Sequence, residues 1–305
     1  MNAVELTNVS KIFRIRSDRR DSIYESITKI KNRTNDSKEI AALQDISFSI
    51  EKGEMVGIIG HNGSGKTTLL RIITEITLPT KGKVMVNGRV VPFLQLGSGF
   101  QSEFNAIDNI RMYGIILGLK RKEIESKISE VLRYAELEKF ALIPVKHYSA
   151  GMFARLAFAT AIQVEPDILV LDEVLAVGDL SFQKKSYETF LSLKNNKKTI
   201  VYVSHNLSEV KNLCDKAILL NNGRLEAFGA PNDVVNKYKE MIELSIKNED
   251  SEIVNKITEF YRNILGREPD QMGLADFLYK IKIGKISIED IPEILKNSQE
   301  FTRSN

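Results

Sequence analysis

Short apolar stretches alternating with helical periodicity predict an α/β chain built on a largely parallel sheet, followed by a small all-helical tail. Met55–Gly60, Lys83–Val86, Ile168–Leu171 and Thr199–Ser204 are short, apolar and rich in Val and Ile, the pattern of buried strands. Helical periodicity falls between them, which favours strand–helix–strand units. After residue 250 no such strand recurs and apolar residues repeat at helical spacing. At 305 residues, 43 % hydrophobic and 27 % charged, the chain suits one large domain plus a small one. That composition speaks against disorder, collagen-like repeats and a disulfide framework.

The one cysteine, Cys214, excludes internal disulfides and multi-cysteine metal sites, and its apolar surroundings favour a packed thiol over a reactive one. A net charge of +3 is too slight to mark a polyanion binder. No secretory leader opens the sequence, and no run of about 18 apolar residues could span a membrane. Lys11 to Glu39 carries nine basic and five acidic residues and reads as a surface insertion, either a solvated loop or a patch for anionic headgroups. These features divide the chain into a main domain over residues 1–240, a polar linker over 241–250 and a tail over 251–305.

Ile253, Val254, Ile257, Phe260, Tyr261, Ile264 and Leu265 fall on one helical face, stopped by Gly266. A second helix is expected around Leu274, Phe277, Leu278 and Ile281, closed by Gly284. A third begins at the capping box Ser287–Asp290.

The chemistry begins at Gly60-His61-Asn62-Gly63-Ser64-Gly65-Lys66-Thr67-Thr68, a G-x-x-x-x-G-K-[ST] motif between an apolar strand and a helix. Such a loop curls backbone N–H groups around a phosphate chain at the positive end of the helix. Lys66 then bridges the terminal phosphates and Thr67 offers its hydroxyl to Mg²⁺. Downstream, a buried strand ends in Asp172 and Glu173, whose side chains must face opposite ways. Asp172 suits the Mg²⁺ shell and Glu173 the polarisation of an attacking water. His205 follows a third strand at the edge where α/β sheets collect ligands. Tyr148-Ser149-Ala150-Gly151-Met152 precedes a helix of small residues, a second place for an anion.

The order of these motifs over roughly residues 3 to 240 resembles the nucleotide-binding subunit of ABC transporters. The usual L-S-G-G-Q signature appears as Tyr148–Met152, and Glu173 is followed by Val174-Leu175-Ala176-Val177-Gly178-Asp179 and then Ser181-Phe182-Gln183-Lys184-Lys185. These variants, with the N-terminal insertion and Leu94–Phe100, resemble the subfamily that exports polysaccharides on lipid carriers: O-antigens, capsular polymers and teichoic acids. The resemblance implies a P-loop NTPase fold, with a RecA-like core, a β-subdomain and a helical subdomain. It implies an ATPase that uses ATP and Mg²⁺.

The resemblance also implies roles. Phe13 would be an aromatic shelf for adenine, with a core position as the alternative. Gln95 would sense Mg²⁺ and the transmembrane partner, Gln101 being the weaker candidate. Ser149 and Gly151 would touch the γ-phosphate held by a second subunit, with Asp179 near that seam, so a homodimer is implied. His205 would hold the γ-phosphate and orient Glu173. Separate permease subunits would dock on the region from Gly97 to Val164, with Leu96, Gly97 and Phe100 nearest, although Phe100 also suits a core turn. The expected location is peripheral, on the cytoplasmic face of the bacterial inner membrane, with no nucleic acid partner.

Members of that subfamily often carry a C-terminal β-sandwich that binds the glycan end, whereas residues 251–305 read as helices. Phe260–Asp270, Gly273-Leu274 and Ser298–Phe301 resemble instead a small helical domain of unassigned role, DUF4214. Glycan contact, protein docking, dimer stabilisation and a passive appendage stay open for it. Transport of a lipid, peptide or drug is the main alternative function. A nucleic-acid ATPase would need a coiled-coil insertion or second cassette, and a small-molecule kinase would not need Tyr148–Met152 or His205.

Overall fold

The structure is a computed structural model and describes residues 1–16, 37–93, 97–172, 178–204, 206–247, 251–282 and 286–298. The predicted parallel sheet has six strands: β5 (Val90–Pro92), β6 (Ile168–Asp172), β7 (Thr199–Val203), β3 (Met55–Ile59), β8 (Lys216–Asn221) and β9 (Arg224–Gly229), in that spatial order. All neighbours pair in parallel except β8 and β9, which form a hairpin. Asn222 and Gly223 close the hairpin with φ of 48° and 76°, the two left-handed residues of a type I′ turn.

The central strands are apolar throughout because both faces are covered. Val56, Ile58, Ile168, Val170, Val201, Val203, Ile218 and Leu220 face one core layer. Met55, Ile59, Leu169, Leu171, Ile200, Tyr202, Ala217 and Leu219 face the other. The first layer is closed by α1 (Lys66–Ile73) and by an antiparallel sheet of β2 (Ser37–Glu51), β1 (Asn2–Arg16) and β4 (Lys81–Val86). The second is closed by helices that include α4 (Ala150–Ile162), α5 (Leu180–Asn195) and α6 (Leu207–Leu213). Cys214 packs here beside Gly57, where any added Cβ would stand 2.9 Å from its sulfur, and burial pushes the thiol pKa up to about 12.

Three expectations change. The stretch around Lys83–Val86 is an edge strand of the small sheet, not a strand of the buried core. Val84 and Val86 turn inward while Lys81, Lys83 and Met85 face solvent, and edge lysines discourage further pairing. The basic segment is shorter than Lys11–Glu39, because residues 11–16 and 37–39 form a ladder closed by an Arg14–Glu39 ion pair at 2.9 Å. Residues 17–36 lie outside the described residues. The stretch read as a polar linker is helical to Lys247, continuing α7 (Pro231–Lys247), because Val234, Val235, Tyr238 and Ile242 form one buried stripe.

The helical layer consists of α2 (Ala106–Ile116), α3 (Arg121–Ala135) and α4, packed on a core of its own. The tail forms α8 (Ser251–Leu265), α9 (Gln271–Lys282), a single 3₁₀ turn at Ile288–Asp290 and α10 (Ile291–Lys296), around Ile257, Tyr261, Phe277, Leu278 and Ile291. Gly266 ends α8 at φ 68° and Ser287 N–H donates to Asp290 at 2.7 Å, both at the expected positions, while Gly284 lies outside the described residues. No helix among the described residues is long and apolar enough to cross a membrane.

Candidate functional site

The G-x-x-x-x-G-K-[ST] loop runs from the end of β3 into α1. Gly60 has φ 147° and an added Cβ would stand 2.2 Å from the Leu220 carbonyl oxygen, so the loop closes down on β8. The I′ turn then braces it: Gly223 N–H donates to Ser64 O at 3.0 Å and its own carbonyl accepts Gln44 N–H at 2.7 Å. Gly65 caps α1 and offers no side-chain acceptor, which leaves the N–H groups of the first turn for an incoming oxyanion.

Lys66 is 8 % exposed and donates from Nζ to Gly60 O at 2.7 Å and His61 O at 2.9 Å. An ammonium has three donors, so the loop fixes the group and leaves one N–H for a ligand. Burial pushes its pKa down, while the charges of Asp172 and Asp276 pull it back up. Ser64 is fully buried and its Oγ has no hydrogen-bond partner, a polar orphan inside the loop. Thr67 and Asp172 line one cavity of about 570 Å³ with Ser98, Arg71 and Tyr113, between α1, β5 and α2. Thr67 and Asp172 share a cavity wall, and the charge of Asp172 reaches Lys66, a donor set whose chemistry suits a phosphate chain with a divalent cation.

Phe13 is 39 % exposed in β1, which sets aside the core alternative. Its ring lies 5.1 Å from Lys11 Nζ, and it pairs with Ile40, two residues along β2 from Ala42, whose carbonyl oxygen would stand 2.7 Å from a Cβ added at Gly65. Ser149 is an exposed N-cap of α4, accepting Met152 N–H at 3.2 Å. An added Cβ at Gly151 would meet nothing nearer than 3.9 Å, so no internal contact requires glycine there. Neither Ser149 nor Gly151 lines the cavities that hold His61, Asn62, Thr67 and Asp172. Asp179 caps α5, and the Ser181 hydroxyl at 2.7 Å and Phe182 N–H at 3.0 Å hold its carboxyl below the usual aspartate range.

Gln95, Leu96, Glu173 and His205 lie outside the described residues. Phe100 is half-buried and packs edge-on against Tyr113 and Phe153, the core-turn alternative rather than a free surface. Gln101 is exposed, and its backbone is held by a residue that pattern reading passes over. Asn109 is fully buried: its Oδ1 accepts Gln101 N–H at 2.7 Å and its Nδ2 lies 3.0–3.1 Å from the carbonyls of Gln101, Phe104 and Asn105. Its signal was an amide at a core position of an apolar helix.

Residues 43–176 match the family described as ABC transporter. The chain is 43 % identical over 203 residues to the O-antigen export system ATP-binding protein RfbB of Klebsiella pneumoniae, covering 67 % of this chain and 82 % of the relative. It is 43 % identical over 250 residues to RfbB of Myxococcus xanthus, covering 80 % of this chain and 57 % of that longer relative. Against the teichoic acids export ATP-binding protein TagH of Bacillus anthracis it is 37 % identical, covering 79 % of this chain and 44 % of TagH. Among solved structures, the dimeric ATP-binding cassette MJ0796 bound to ADP and Pi superposes with a TM-score of 0.58 at 24 % identity, over 75 % of this chain and 98 % of that one. At that identity the likeness speaks for the fold. With the loop geometry above, these similarities place the chain in the ABC transporter family.

Proposed function

We propose that this chain powers the export of a lipid-linked polysaccharide, working as a homodimer docked on separate permease subunits at the cytoplasmic face of the bacterial inner membrane. In this reading residues 1–240 are the cassette, 241–250 the connection and 251–305 a DUF4214-like helical domain. The identity of about two fifths to relatives named for O-antigen and teichoic acid export carries the substrate class.

The chemistry follows from the positions. The loop N–H groups and the third donor of Lys66 grip the phosphate chain, and Phe13 stacks the base. Mg²⁺ would be held by Thr67 and Asp172, with Gln95 as a further ligand, and would neutralise phosphate charge. Glu173 accepts a proton from water as the water oxygen bonds to the γ-phosphorus and the bond to the bridging oxygen breaks, leaving ADP and phosphate. His205 holds the γ-phosphate. The exposed Ser149 turn and the loop stand apart in one chain, so a second copy completes each site with Ser149, Gly151 and Asp179. Bound ATP ties the two copies together and hydrolysis releases them.

A Lys66→Ala strain tests this. Loss of surface polysaccharide, with the protein still folded and still co-purifying with a membrane permease, is expected. Normal polysaccharide together with abolished ATPase activity would overturn it.

A further inference from the structure

The tail touches the phosphate loop. Tyr279 of α9 donates its hydroxyl to Asn222 Oδ1 in the I′ turn at 2.8 Å. Its ring centroid stands 4.3 Å from that of His61, the second residue of the loop. One ring nitrogen of His61 lies 3.1 Å from Asn221 Oδ1, so loop, turn and tail helix form one connected chain of contacts. Beside them is a cavity of about 620 Å³ walled by Tyr238 and Ile242 of α7, Asp276 and Tyr279 of α9, and His61 and Asn62 of the loop.

Asp276 is the chemically distinctive member. Its Oδ2 pairs with Lys280 at 2.6 Å, while its Oδ1 is buried and takes no hydrogen bond. Its charge is felt across the cavity, favouring the ammonium form of Lys66 and, after burial, raising the Tyr238 pKa to about 12. A tail carboxylate therefore shares a cavity wall with His61 and Asn62 of the loop, and a phosphate chain held by that loop is itself strongly anionic.

We propose that α9 belongs to the nucleotide site as an affinity-setting element: Tyr279 fastens it to the loop through His61 and Asn222, and Asp276 opposes the incoming phosphates, so that tail docking and nucleotide binding are antagonistic. This rests on the reading of residues 60–68 as the nucleotide loop. Coupling between two binding events is reciprocal, so nucleotide loosens α9 by the factor with which docked α9 weakens nucleotide.

The sign separates this role from a bracing one. Asp276→Asn keeps the shape, removes the charge and leaves Lys280 behind. In the full chain it is expected to tighten binding of a fluorescent ATP analogue by about fivefold or more. The gain should fade in 1 M salt, where the screening length is about 3 Å. Tyr279→Ala, which unfastens the helix without altering charge, should also tighten binding, with Tyr279→Phe in between. In the unmodified chain, ATP should speed amide exchange in residues 271–281. If the unmodified chain binds the analogue but Asp276→Asn binds it equally or more weakly, the proposal falls and the loop assignment stands. If the unmodified chain binds none, the loop assignment falls with it.

Discussion

Lys66 shows how one side chain is prepared by its surroundings: two carbonyls at 2.7 and 2.9 Å hold the ammonium, so its remaining donor is aimed before any ligand arrives. The motif made that residue legible, but its partners follow from how the loop closes. The loop glycines divide by what surrounds them. An added Cβ at Gly60 collides with the Leu220 carbonyl, whereas at Gly63, with φ 83°, it meets nothing within 4 Å. Gly63→Ala should therefore cost about 1–2 kcal/mol, the ordinary penalty of a left-handed residue. Gly60→Ala should cost about 3 kcal/mol or more, because steric overlap adds to backbone strain. Chemical denaturation of both variants checks the ranking, and equal costs would mean that β8 does not support the loop as described.

At the scale of elements, periodicity found the buried strands because covered strands are uniformly apolar, and it misjudged β4, whose residues pair at a sheet edge. The type I′ hairpin was written in Asn222-Gly223, yet nothing local says that this turn would brace a loop more than 150 residues earlier. The last turns of α7, residues 241–247, read as linker because their end is polar, although the buried stripe runs to Ile242. Asn109 is a similar case. Its amide ties the segment 101–105 to α2, and Asn109→Ala would strand the Gln101 N–H, while the carbonyls of Gln101, Phe104 and Asn105 each keep a backbone donor, from Phe104, Val145 and residue 109. The expected loss is about 1–3 kcal/mol, from that one stranded donor. A denaturation midpoint unchanged from the unmodified chain would show that water replaces the amide without cost.

For the whole molecule, the sequence located the cassette because its motifs carry chemistry that few arrangements share, while the tail's docking was invisible. Its stripe of Leu274, Phe277, Leu278 and Ile281 says that it packs, but the sequence does not say that Tyr279 meets His61 and Asn222 or that Asp276 lines a cavity with His61. The proposed seam between copies would likewise be written in one chain as two halves, the loop and the exposed Ser149 turn. In the proposed reaction Glu173→Gln removes the proton acceptor while sparing the groups assigned to grip ATP, so bound nucleotide should persist and hold two copies together. Light scattering of that variant saturated with Mg²⁺ and ATP should read about twice the 34.5 kDa of the single chain, and return to the single-chain mass when nucleotide is removed. A variant that holds ATP yet stays at 34.5 kDa would contradict the two-copy site.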